Sequence, residues 1–550
     1  PSYITISDAR ILHSYRNSCA TNPQRMNDMD RTFTIGVLGL QSGLQALLEN
    51  IGVRFVALST LPKDVAEHSM IIVHRPLEKW ERQELGKLQP EKKSKENATQ
   101  QLGILYTYES SEMPEHALSR EIRRTSITSR DLLGTQLEAF SSVDLYTPVR
   151  LFEPLEHLFS AVFLKTMGTV YFGFPIEKTL ECKGYTRKRF PSTLDLYPNE
   201  LVSKVHRQKL QDLLQLGLER VLFSLGLPWV QTWVFPTDRP VITLRIDTDF
   251  GTQKSMQELF DLAEKHDAKL TNFLHVAAHD DWLEWFVNFP THEYAIHGYD
   301  HAHIRSSYAL YQDIEQANER MKEYGMKAKG YAAPYGIWSE TLLKVLDTYP
   351  FIYSSEFTHG YDGFPYYVKG HQRLQIPIHP ICTGSLRRYG ASDDDFKHYF
   401  QQLLDSKLRN WEAIMLYHHP LQPGASAIDF AMNYANEAGV QWLRYDEWAN
   451  FWMNRLKQSY DLNYSSQNGV LTGSMNGDIP LLIKTEHDRG FLATPSKVTS
   501  GIPIPDQTTD IRWTPAGRSM LSDHFLDHKR TQPWKLWKES LIQYRNRIRI

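Results

Sequence analysis

Two aspartates stand one residue apart at the end of an apolar run, Pro240-Val241-Ile242-Thr243-Leu244-Arg245-Ile246-Asp247-Thr248-Asp249-Phe250-Gly251. A β-branched run of this kind predicts a buried strand. Side chains alternate along a strand, so Arg245, Asp247 and Asp249 share one side, and Leu244, Ile246 and Thr248 take the other. Two acids and an arginine on a buried strand are costly unless they pair or hold a metal. Downstream, His297-Gly298-Tyr299-Asp300-His301 sets two imidazoles four residues apart. On a helical turn that spacing puts both rings on one side, which suits two metal-ligand nitrogens. Asp249 can add a carboxylate, and His303 is a substitute ligand that fits less well than the first pair. Two histidines and one carboxylate leave positions open for water and substrate, which is a catalytic rather than a structural metal arrangement.

The elements that must position these groups alternate between strand and helix. Strand Val241–Ile246 leads to the amphipathic helix Ser255–His266 and then to Lys269–Val276. Strand Glu293–Ile296 ends at His297, the helix Tyr308–Tyr324 follows, and strand Ala328–Ala332 runs into the turn Pro334-Tyr335-Gly336. A helix near Ser339–Tyr349, a strand Ala413–Tyr417 ending in His418-His419-Pro420, and a last helix Tyr445–Leu456 complete the series. This alternation over 236–457 predicts a barrel-like α/β domain, whose chemistry gathers at the carboxyl ends of its strands. Asp247, Asp249, His297, Tyr335 and His418 all stand at such ends.

A chain of 550 residues predicts two or three domains. Residues 31–200 read as an α/β accessory domain of Rossmann-like, flavodoxin-like or amidotransferase-like type, with no nucleophile elbow and no glycine-rich phosphate loop. Residues 1–30 form a polar arm, 201–235 a helical linker and 458–527 a small β-rich appendage. The tail 528–550 is basic and amphipathic, either docked on the protein itself or meeting a membrane surface or an acidic glycan. A net charge of −3 argues against nucleic acid as a bulk electrostatic partner. Cys19, Cys182 and Cys382 are too few and too scattered for a disulfide framework or a cysteine-based zinc site. No apolar stretch is long enough to span a bilayer and the start is too polar for a signal peptide, so a cytoplasmic location is expected.

Between about Pro236 and Lys457 the chain resembles the polysaccharide deacetylases of the NodB-homology type, carbohydrate esterase family 4. Asp247-Thr248-Asp249 resembles that family's first motif, with one residue between the acids. The resemblance implies Asp247 as catalytic base, Asp249, His297 and His301 as metal ligands, and a distorted (β/α) barrel. Tyr331-Ala332-Ala333-Pro334-Tyr335-Gly336 is similar to R-x-P-Y, which implies that the Tyr335 backbone N–H helps bind the oxyanion. Leu416-Tyr417-His418 is similar to L-x-H and implies His418 as the general acid. His419 competes with it, since only one of two adjacent strand residues can point inward.

Two positions depart from the pattern. The motif arginine is Ala332, and Tyr353-Ser354-Ser355-Glu356-Phe357 stands where D-x-x-D-W is expected. Arg245 is therefore expected to replace the arginine beside Asp247, and Glu356 to orient His418. The implied cofactor is a divalent metal, Zn2+ first, with Co2+, Ni2+ or Mn2+ as alternatives. Such an ion lowers the pKa of bound water to about 7. The implied substrate is an N-acetylated glycan or amino-sugar precursor. Trp282, Trp285, Trp338, Tyr366 and Tyr367 are candidates either for stacking on sugar rings or for core packing. The competing functions are an allantoinase-like hydrolysis of a small non-sugar C–N bond and a weakened, glycan-binding site.

Overall fold

The computed structural model describes residues 30–504 except 63–67, 89–101, 111–121, 128–142, 148–161, 167, 173–175, 182–183, 191–197, 466–467 and 486–489. The basic tail, Cys19, Cys182 and nearly all of the N-terminal arm lie outside the described residues.

Seven parallel strands carry the predicted site: β1 (Val241–Asp247), β2 (Leu270–Leu274), β3 (Glu293–Ile296), β4 (Gly330–Tyr331), β5 (Tyr353–Ser354), β6 (Leu374–Gln375) and β7 (Ile414–His418). They lie in the order β6-β5-β4-β3-β2-β1-β7, with Tyr366–Tyr367 added antiparallel beside β6 and Gln441–Trp442 paired to the start of β1. β1 lies between β2 and β7, and every residue from Val241 to Asp247 is buried, the apolar Ile242, Leu244 and Ile246 on one face and Thr243, Arg245 and Asp247 on the other. The sheet curls without closing along a full ladder. Among the described residues, the chain beyond β6 reaches β7 through scattered bonds rather than a ladder: the His379 backbone N–H donates to the Met415 carbonyl at 2.8 Å and the Tyr417 hydroxyl to the Pro380 carbonyl at 3.0 Å. This is a distorted, incomplete barrel.

The crossover helices owe their positions to local sequence. Helix Gln253–Lys265 starts at Thr252, whose hydroxyl accepts from Ser255 N–H while the Ser255 side chain accepts from Thr252 N–H. That reciprocal box satisfies two of the orphan donors of the first turn. The helix then buries Met256, Leu259, Phe260 and Ala263 against the sheet. Helix Ser307–Glu323 starts at Ser306, whose hydroxyl accepts from Ala309 N–H with no reciprocal bond, and it buries Leu310, Ile314, Ala317 and Met321.

The preceding region forms a separate sheet, in the order Phe55–Leu58, Ile35–Leu38, Met70–Val73, Gly103–Thr107 and Thr169–Phe172, all parallel, with Val162–Thr166 antiparallel at its edge. Helix Arg207–Ser224 belongs to this region's core, burying Leu210, Leu213, Leu214, Leu218, Val221 and Leu222. Arg455, on the last barrel helix Tyr445–Lys457, joins the two regions. Its guanidinium donates to the carbonyls of Asn50, Ile51, Thr232 and Trp233 at 2.8–3.0 Å. The first two are orphan acceptors at the end of helix Ser42–Ile51. Gly52 follows with φ +86°, and a Cβ there would come within 2.5 Å of the Arg455 guanidinium. Strands Ser459–Ser465 and Val470–Asn476 pair with each other, and Asp30–Thr32 lies on the outer side of the first. Among the described residues, no helix is long and apolar enough to cross a membrane.

Candidate metal centre

β1 delivers Asp247 at its last residue and Asp249 two residues beyond. The chain turns sharply there, with Gly251 N–H donating to Thr248 C=O at 2.7 Å and Asp249 at φ +42°. A non-glycine residue in the left-handed region is strained by about 1–2 kcal/mol, a strain that recurs at ligand clamps. Gly251 is required by close approach: a Cβ would meet Thr248 O at 2.9 Å and Pro420 at 3.0 Å. β3 delivers His297, and the following loop brings His301 back beside it. Asp313, from helix Ser307–Glu323, pins that loop by accepting from Tyr299 N–H at 3.1 Å and Asp300 N–H at 2.8 Å.

Among the described residues, the one group of acidic, histidine and cysteine side chains whose donor atoms converge is Asp249, His297 and His301, all within 4.8 Å of one another. His303 is not in it. Asp249 Oδ1 lies 3.1 Å from His301 Nε2 and 3.5 Å from His297 Nε2. Neither approach makes a hydrogen bond, and the oxygen is buried without such a partner. His297 Nδ1 lies 2.8 Å from the carbonyl of Ala332, an acceptor, so the ring proton sits on Nδ1 and Nε2 presents its lone pair. Three donor atoms converging on one point, with the His297 Nε2 lone pair among them, fit a divalent cation.

Asp247 is buried and gripped on both oxygens. Arg245 Nε donates to Oδ1 at 2.5 Å and Nη2 to Oδ2 at 2.9 Å, while Nη1 donates to the Ser355 carbonyl at 2.7 Å. The guanidinium is wholly buried and lies over the Phe273 ring at 4.7 Å. Burial works to raise the Asp247 carboxyl, but Arg245 and then His297 hold it below the usual carboxylate range. The bridge from Arg245 to Asp247 follows from their shared side of β1.

Two placements differ from the sequence expectation. His419, not His418, faces the cluster. The parallel register pairs Arg245 with Tyr417 and Ile246 with His418, so one step further sets His419 level with Asp247 and on its face. His419 Nε2 stands 3.6 Å from Asp249 Oδ2. His418 turns away with Ile246, is fully buried, and its Nδ1 meets the Thr383 hydroxyl at 3.2 Å. Burial pushes His418 down to about 3. For His419 burial acts the same way, but the Asp249 carboxylate and then the adjacent Cys382 sulfur override it and raise the ring to about 9.

Glu356 orients neither histidine. It leaves β5 beside β4, so its carboxylate lies under the turn after β4, where Oε1 accepts from Ala333 N–H at 3.3 Å. Its Oε2 is buried without a hydrogen bond, and burial raises the group to about 7. That turn holds Tyr335 at φ +61°, with the Tyr335 ring edge-on to His301 at 4.9 Å between centroids. Glu356 therefore supports the Tyr335 turn.

Three contributors were not singled out from sequence. His275, after β2, bonds backbone atoms of both ligand loops. Its signal was legible, a histidine at the carboxyl end of a barrel strand. Cys382 packs against His419, a tertiary neighbour that spacing does not reveal. Phe250 is 64% exposed directly after Asp249, edge-on to His275 and His301. The aromatics named from sequence pack inward instead: Trp285 stacks on Phe260 at 5.3 Å and Trp282 on Phe286 at 5.0 Å. Trp338 lies against His359, as does Tyr366, and Tyr367 packs on the barrel core. Phe250 and the 40% exposed Tyr335 are the open aromatic surfaces beside the ligands.

Residues 236–353, the segment carrying β1 through the Tyr335 turn, match the model of the polysaccharide deacetylase family, as the motifs suggested. Similar solved structures include a probable polysaccharide deacetylase from Pseudomonas aeruginosa PAO1, with 15% identity over 40% of this chain and 92% of that one, at a TM-score of 0.35. Puue allantoinase has the same identity, coverage and score. A carbohydrate esterase family 4 pseudoenzyme from Bacillus anthracis is 18% identical over 38% of this chain and 66% of its own, at 0.29. A comparison with curated proteins finds no match.

Proposed function

We propose that residues 236–457 form a metal-dependent hydrolase that removes N-acetyl groups from an amino-sugar glycan or its precursor. The observation that carries this reading is the convergence of Asp249, His297 and His301 on one point, with the Arg245-clamped Asp247 and His419 around it. A divalent cation held there, Zn2+ first and Co2+, Ni2+ or Mn2+ as alternatives, supplies Lewis acidity at neutral pH.

The chain's own groups supply the rest. Asp247, kept ionised and aimed by the two-pronged Arg245, takes the proton from the attacking water, and general-base catalysis of this kind contributes about 10²–10⁴-fold. The strained Tyr335 turn presents backbone N–H to the developing oxyanion, an electrostatic contribution of about 3–4 kcal/mol per donor. The leaving amine needs a proton before it departs, and His419 on the Asp247 face gives it. Arg245 fills the place of the motif arginine from β1, so Ala332 in that motif does not strip the base of its partner. Phe250 and Tyr335 offer flat apolar faces beside the ligands for a sugar ring.

Metal analysis of the purified chain, with acetate release from an N-acetylglucosamine oligomer before and after chelation, tests the reading. Acetate release that chelation abolishes and metal restores is the expected result. Metal-loaded protein releasing no acetate from any acetylated glycan refutes it, and hydrolysis of a small ureide instead moves the substrate to the allantoinase-like class.

A further inference from the structure

The two ligand-bearing loops leave different strands, β1 and β3. His275 lies between them. Its Nδ1 is 2.8 Å from the Asp249 carbonyl oxygen, and its Nε2 is 3.2 Å from the His301 backbone nitrogen. The carbonyl can only accept and the N–H can only donate, so both bonds exist together in one form alone: a neutral ring with its proton on Nδ1 and its lone pair on Nε2.

We propose that His275 is the positioning residue of the metal centre, a clamp that sets the separation of Asp249 from His301 through their backbones. This rests on reading Asp249, His297 and His301 as metal ligands.

Several observations support the clamp. The Asp249 backbone is in the left-handed region, which it leaves at no steric cost if nothing holds it. The bond from His275 to the Asp249 carbonyl is made by the strained residue itself, so it opposes that relaxation. On the other side, His301 N–H is held in the loop that also meets His275's neighbours, with Val276 N–H donating to Gly298 C=O at 3.2 Å and Ala277 N–H to Tyr299 C=O at 3.0 Å. His275 is anchored in turn, its own N–H donating to the Thr248 hydroxyl at 3.0 Å. The Phe250 ring packs edge-on against it at 4.9 Å and shields one side of the clamp. Because Nε2 is engaged by a backbone donor, His275 is excluded from serving as a further ligand, although its ring centre is only 5.6 Å from that of His301.

Residues that hold ligands in place typically contribute 10–100-fold to metal affinity. Three variants dissect the clamp. His275→Asn places an amide donor near the Nδ1 position and keeps the Asp249 half; His275→Gln places an amide oxygen near the Nε2 position and keeps the His301 half. His275→Ala removes both. Co2+ is titrated into each metal-free chain, with affinity read by competition against a chelator, ligand geometry from the visible Co2+ spectrum, and metal-free thermal unfolding as the folding control. The expected result is about 10–100-fold weaker binding and an altered spectrum for His275→Ala, with both single-half variants intermediate. Wild-type affinity and spectrum in His275→Ala overturn the clamp while leaving the metal site standing. If His275→Ala does not fold, Asn and Gln variants that both match the wild type overturn it. Failure of the wild-type chain to bind Co2+ refutes the metal site itself and the clamp with it.

Discussion

Replacing Arg245 with Met separates the charge of the clamp from its packing. The methionine keeps an apolar stem of similar length beside Phe273 and removes the guanidinium. Asp247, only 3% exposed, then loses both of its short charge-assisted bonds, and the Ser355 carbonyl loses its donor. Breaking a buried pair from one side costs about 3–5 kcal/mol, because the remaining charge stays buried without compensation. Asp247→Asn alone is milder, since Arg245 keeps the Ser355 carbonyl and hydroxyl at 2.7 and 3.0 Å. The double variant removes both charges, so its loss should fall short of the sum of the singles by about 2–3 kcal/mol, in the upper range for contacting residues. Thermal unfolding of the metal-free chains, together with hydrogen exchange at β1 amides, measures this. In turnover, Arg245→Met is expected to lower kcat by about 10²-fold or more as the base loses its aim, with Arg245→Lys recovering part of it, since a lysine keeps the charge without the planar fork. Additive stability losses, or wild-type kcat in Arg245→Met, would refute the assignment of Arg245 as the partner of Asp247.

The remaining predictions concern the acid, the turn and the domain junction. His419→Gln should lower kcat by about 10²–10⁴-fold, whereas His418→Gln should lower stability and leave kcat nearly unchanged; steady-state kinetics with an acetylated oligomer decide between them. Glu356, raised to about 7 by burial, holds its proton more tightly folded than unfolded. The chain therefore loses stability as pH rises from about 4.5 to 7, by a few kcal/mol in order of magnitude, and Glu356→Gln should flatten that slope and be the more stable form at pH 8 in denaturant titrations. Arg455→Met should destabilise by several kcal/mol, because four buried carbonyls lose one shared donor, and hydrogen exchange should show the loss at helix Ser42–Ile51 as well as in the barrel.

Much of the candidate site was legible in the chain itself, because it rests on local periodicity. The run into Asp247 reads as a buried strand, and alternation alone sets Arg245 on the side of Asp247, where its guanidinium is found. The pairing of His297 with His301 is likewise local, but the helical turn expected for it is instead a loop of bends, with Gly298 at φ +91°. Other features depend on neighbours that only the folded chain supplies. Whether His418 or His419 points inward turns on a register between strands about 170 residues apart, and a slip of one residue exchanges their faces. Glu356 was assigned to a histidine on β7, but strand order places β5 beside β4, so its carboxylate meets the Ala333 turn instead. The aromatics open from sequence to either sugar stacking or core packing were taken up by the core, and Phe250 was left exposed by a turn that depends on the left-handed Asp249. Sequence determined which chemical groups were present and which of them shared a strand face. Tertiary structure decided which groups from different strands meet, because parallel pairing and loop closure bring together residues that no local pattern relates.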